Sequence, residues 1–106
     1  MKNFSSLANL PHYPVMLDQV IKICKPEKGG DFIDCTFGAG GYTNALLSFP
    51  KTKVLALDRD SSTEKYSKKT KNLYKERFSF NISKFSQLNK FIENEKKFDF
   101  IIFDLG

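Results

Sequence analysis

At 106 residues the chain has room for one domain built around one core. Its 41% hydrophobic, 14% aromatic and 27% charged residues exclude a disordered polymer. A net charge of +5 and a pI near 9.2 suit an anionic partner, but fifteen lysines against two arginines are also what an AT-rich genome imposes on any protein. No apolar run nears the roughly 18 residues that span a bilayer. The polar start MKNFSSLANLPHYP has no signal-peptide core, so a cytoplasmic protein with no membrane association is expected. Cys24 and Cys35 lack CxxC or Cys/His spacing, which predicts buried free thiols and no metal site.

In chain order, Pro14 opens a segment whose Met16, Leu17, Val20, Ile21 and Cys24 share a helical face, ended by Lys25-Pro26. Asp31 to Thr36 reads as a strand. A glycine cluster follows, then the helical pattern Ala45, Leu46, Phe49, stopped by Pro50. Lys53 to Asp58 (KVLALD) is apolar and closed by an acid, as expected of a buried parallel strand ending at a binding edge. Ser61-x-x-Glu64 has the form of a capping box, and Tyr66, Thr70, Leu73 and Tyr74 keep helical spacing through a lysine-rich stretch whose basic face reads as solvated surface. Phe78, Phe80 and Ile82 alternate as a strand does, and Phe85, Leu88, Phe91 and Ile92 return to helical spacing before ENEKK. Phe100 to Phe103 (FIIF) forms a fourth strand, followed by Asp104. A helix, three β-α units and a final β imply an α/β fold with a parallel sheet and right-handed crossovers.

The loop DCTFGAGGYT places Gly38, Gly40 and Gly41 between a strand end and a helix start, where backbone turns sharply and approaches a ligand. The dinucleotide fingerprint GxGxxG needs glycine where Thr43 stands. Asp58, twenty residues beyond Gly38, stands where a carboxylate accepts the hydroxyls of a ribose. Asp34, just before the loop, would repel a pyrophosphate and favour a sulfonium or ammonium. With Asp104 at the end of the fourth strand, three carboxylates are expected along one edge, and S-adenosylmethionine is favoured over a dinucleotide.

The motifs HYPVMLDQV, GGDFIDCTFGAGGYT, VLALDRD, FSQL and FDLG together resemble the ribosomal RNA small subunit methyltransferase H (MraW) family, over the full chain. The resemblance implies a Rossmann-like class I methyltransferase fold with strand order 3-2-1-4, and methylation of N4 of a decoding-site cytosine in bacterial 16S rRNA. It assigns Gly40, Gly41 and Tyr42 to the methionine end of S-adenosylmethionine, Asp58 to the ribose, Phe85 to the adenine region and Asp104 to the remaining polar groups. Tyr42 stands where many members have His. His12, the sole histidine, is read as structural.

The resemblance also implies that residues 1–106 are the N-terminal part of the cofactor domain, truncated after the fourth strand and lacking the inserted RNA-recognition domain, with catalytic residues unassigned. FIIF is then an unpaired apolar edge and a template for aggregation. Two other readings stay open: a nicotinamide-dependent oxidoreductase, and a non-catalytic module that docks on protein or RNA through its basic helix.

Overall fold

The computed structural model describes residues 17–84, 87–92 and 98–103. Four parallel strands, β1 (Gly30–Asp34), β2 (Thr52–Asp58), β3 (Phe78–Ile82) and β4 (Phe100–Ile102), form one sheet in the order β3-β2-β1-β4. Helices α1 (Leu17–Cys24), α2 (Gly41–Leu47), α3 (Glu64–Tyr74) and the short α4 (Asn89–Ile92) alternate with them. The α/β architecture is the one expected from the pattern, since a parallel neighbour can be reached only through a crossover, and the strand order is the one the family resemblance implies.

The two faces of the sheet differ. Phe32, Val54, Ala56, Phe78 and Ile102 are buried beneath α1, α2 and α3, with Phe80 and Phe100 packed beside them. Phe32 and Phe100 stack across β1 and β4 at 5.5 Å. On the opposite face Ile33, Cys35 and Leu57 form a smaller cluster joined by Leu55, Leu88 and Phe98. Ile101, paired with Ile33, is 42% exposed. The apolar residue that sequence reading assigns to a naked edge therefore also lies on a thinly covered face.

Three local departures have physical causes. β1 ends at Asp34 rather than Thr36, because Asp34 Oδ1 accepts the N–H of Thr36 and turns the chain out of the ladder. The expected capping box is replaced one residue earlier: Asp60 Oδ1 accepts from Ser62 N (2.9 Å) and a 3-10 turn over Ser61–Thr63 precedes α3. Leu73, expected on the inner face of α3, is 70% exposed, since Ser67 and Thr70 take the buried positions with Tyr66 and Tyr74 beside them. The free thiols Cys24 and Cys35 are buried, as expected.

At the N-terminal end of the sheet Arg77, in the turn before β3, gathers carbonyl oxygens. Its guanidinium donates to the carbonyls of Leu47, Phe49 (2.8 Å) and Thr52 (2.9 Å). Lys71 Nζ donates to the Phe78 carbonyl at 2.8 Å, tying α3 to β3. Next to them, the Asp31 N–H donates to Asp99 Oδ2 and the Asp99 N–H to the Asp31 carbonyl, joining the start of β1 to the approach of β4.

Candidate cofactor site

At the other end of the sheet the chain leaving β1 crosses the tops of its neighbours. Cys35 N–H donates to the Ile102 carbonyl of β4 (2.9 Å), Phe37 N–H to the Leu57 carbonyl of β2 (3.1 Å), and Gly38 N–H to Asp58 Oδ2 (2.8 Å). Two glycines then make the turn into α2 with left-handed backbone, Gly38 at φ 56 and Gly40 at φ 92. They differ in surroundings. A Cβ at Gly40 would strike the Asn44 side chain and the Phe37 ring, whereas at Gly38, among the described residues, it would meet nothing nearer than the Thr36 carbonyl at 3.9 Å. The described residues therefore leave space over Gly38, beside Asp58.

Asp58 is half-buried at the end of β2. Its Oδ2 accepts from Gly38 N and its Oδ1 from Asp60 N (3.0 Å). An ionised carboxylate offers about four acceptor sites, so acceptor capacity remains on both oxygens. Gly40 caps α2 and Gly41 opens it; the first-turn N–H groups of a helix have no partner inside it and point out of its end. Tyr42 follows, but its side chain is 4% exposed and packs into the core, so what it turns to the mouth of the loop is backbone. Phe85, Asp104 and His12 lie outside the described residues. Gly40, Gly41, the Tyr42 backbone and Asp58 come together at one edge of the sheet.

Asp34 behaves differently from its expected role. It has no exposed surface; Oδ2 accepts from the Thr43 hydroxyl at 2.7 Å and Oδ1 from Thr36 N at 3.1 Å. Instead of facing a ligand, it fastens the first residues of the loop to the first turn of α2. Thr43, also fully buried, thus occupies the third glycine position of the dinucleotide fingerprint for a reason: its hydroxyl serves this acid.

Sequence reading did not single out Phe37 and Asn44. Phe37 is 2% exposed and packs on Phe80 (5.1 Å) and Phe78 (5.6 Å), which pins the loop to β3. The Asn44 amide donates to the Gly40 carbonyl (2.7 Å) and accepts from the Thr70 hydroxyl (3.2 Å), which links the loop to α3. An Asn one helical turn after a capping glycine was the available signal.

The charges near the loop are set by local geometry. Burial, and then the neighbouring Asp34 carboxylate, push the Cys35 thiol up to about 11, so it stays protonated and unreactive at neutral pH. The Ser62 N–H that caps Asp60 holds its carboxyl below the ordinary carboxylate value. Among the described residues no cluster of His, Cys, Asp and Glu is grouped to hold a metal ion, and no helix is long and apolar enough to cross a membrane.

A parallel sheet in the order 3-2-1-4, a glycine loop after β1 and an acid closing β2 define a Rossmann-like fold of the S-adenosylmethionine-dependent methyltransferase type. Consistent with this, the fold is similar to that of coclaurine N-methyltransferase, a structure bound to N-methylheliamine and SAH (TM-score 0.53, 17% identity, 64% of this chain and 21% of that one). The model of the MraW methylase family matches residues 9–106, and the chain belongs to that family. Among curated relatives, the ribosomal RNA small subunit methyltransferase H of Rickettsia bellii is 46% identical over 96 residues, covering 91% of this chain and 31% of its own length. That of Ehrlichia ruminantium is 38% identical over 97 residues, with 90% and 32% covered. The chain thus spans about a third of the length of these relatives.

Proposed function

We propose that this chain is the S-adenosylmethionine-binding portion of a cytoplasmic enzyme that methylates N4 of a cytosine in the decoding region of bacterial 16S rRNA, within the small ribosomal subunit. Its relatives are named as small-subunit rRNA methyltransferases. The observation that carries the cofactor assignment is the Asp58 carboxylate, held against the Gly38 N–H with acceptor capacity to spare and, among the described residues, space beside it. The donor set fits the ligand: a carboxylate for ribose hydroxyls, and helix-start N–H groups for the carboxylate of the methionine end. In this reading Gly40, Gly41 and the Tyr42 backbone hold that end and Asp58 the ribose. Phe85 provides an apolar face for adenine and Asp104 takes the remaining polar groups.

The cofactor supplies an electrophilic methyl group on a cationic sulfur. The chain's part is positioning: a rigid loop fixes the donor so that an amine, freed from stacking and pairing, can approach in line. Asp34, sealed beneath the loop, holds that geometry. The nicotinamide alternative is disfavoured because a buried, hydrogen-bonded Thr43 fills the position where a dinucleotide loop uses glycine.

Calorimetric titration tests the reading. Saturable binding of S-adenosylmethionine, weakened by Asp58→Ala and absent with NADH, is the expected result. A folded chain that binds neither ligand would leave only the non-catalytic reading.

A further inference from the structure

The net charge of this protein is concentrated on one segment, α3 and the turn that follows it. Between Glu64 and Arg77 six basic residues face two acidic ones, leaving +4, whereas the other 92 residues carry eleven basic against ten acidic. A compositional bias toward lysine would spread its charge along the chain; this distribution does not. Lys65, Lys68 and Lys69 are exposed on the outward side of α3, while Ser67 and Thr70 face the core. Residues three and four apart on a helix stand about 5–6 Å apart, so these three form one patch, with exposed Lys75 in the turn that follows. Two cations of the segment lie over aromatic rings, Lys65 on Tyr66 at 5.1 Å and Arg77 on Tyr74 at 5.4 Å. α3 starts four residues after Asp60, beyond the 3-10 turn Ser61–Thr63, on the same edge of the sheet as the glycine loop.

We infer that the outward face of α3, carried by Lys65, Lys68, Lys69 and Lys75, is a phosphate-binding surface for the RNA backbone. Charge complementarity selects a polyanion, and the rRNA reading above, on which this inference rests, selects RNA among polyanions. Contacts of this kind position a substrate without reading its sequence. The surface therefore orients RNA against the sheet edge but does not choose the base.

The test is fluorescence anisotropy of a short mixed-sequence RNA titrated with the chain. Four phosphate contacts predict a loss of affinity on the order of a hundredfold between about 50 and 200 mM salt. Lys65→Gln/Lys68→Gln/Lys69→Gln is expected to weaken binding by roughly tenfold or more and to reduce the salt slope by about 2. A charge-matched control, Lys22→Gln/Lys28→Gln/Lys53→Gln, changes exposed lysines elsewhere and is expected to leave binding within about twofold. Gln keeps helix propensity, circular dichroism confirms the fold, and Lys68→Gln/Lys69→Gln serves if the triple variant is unstable. Equal losses in the two triple variants, absence of salt dependence, or tighter binding to phosphatidylserine vesicles than to RNA would each overturn the inference. Titration with S-adenosylmethionine separates the two claims: cofactor binding kept while RNA binding is absent sinks this surface and leaves the cofactor site standing.

Discussion

Two aspartates bracket the glycine loop and do opposite work. Asp58 is half-open and keeps spare acceptors; Asp34 is sealed and spends its oxygens on Thr36 and Thr43. Because a buried acceptor that loses a donor is costly, Thr43→Val is expected to lower unfolding stability by about 1–3 kcal/mol, read as a lower urea midpoint. Thr43→Ser keeps the hydroxyl and should recover much of that loss. A Val variant as stable as the parent would show that the bond does not hold the loop. The position of Asp58 beside the loop was legible in the sequence because a strand-end acid at that spacing has a positional meaning. The role of Asp34 was not, because its burial depends on how the loop folds back over it, which no spacing reveals. Tyr42 divides in the same way: its place in the loop was readable, whereas the burial of its ring follows from the packing of α2 on the sheet.

At the scale of elements, apolar runs, alternation and helical spacing located the four strands and four helices of the described residues, because helices and outer strands bury one side while β1 and β2 are buried on both. The boundaries were less legible. They are decided by single hydrogen bonds, such as the one from Ser62 N to Asp60 that displaces the capping box. That cap carries a pH signature. Its hydrogen bond favours the ionised form, so the folded pKa is depressed and the cap's contribution is present above the ordinary value of 3.8. It is lost as the pH falls through that value toward the lowered one. Asp60→Asn keeps an acceptor without the titration. The stability advantage of the parent over Asp60→Asn should therefore shrink as the solution is acidified through this window, measured by thermal unfolding at a series of pH values. A gap that does not change with pH would remove the cap from the acid limb of the stability curve.

For the molecule as a whole, the parallel sheet was legible because alternating strands and helices require right-handed crossovers, and its order followed from the family resemblance, while the inequality of the two faces was not legible. One face carries three helices; the other leaves Ile101 42% and Phe103 44% exposed beside β4, at the edge of the sheet. An apolar edge of this kind recruits other strands. Ile101→Lys is expected to reduce concentration-dependent association in sedimentation velocity without lowering the thermal midpoint, and unchanged association would place the contact elsewhere. The opposite end of the sheet is fastened instead, by one guanidinium shared among the carbonyls of Leu47, Phe49 and Thr52. Because that anchor belongs to the second crossover and grips the first, the two cannot come apart separately. The molecule resembles pliers, riveted at the Arg77 end and working at the glycine loop, so its jaws can be recut for another ligand while the rivet is left alone.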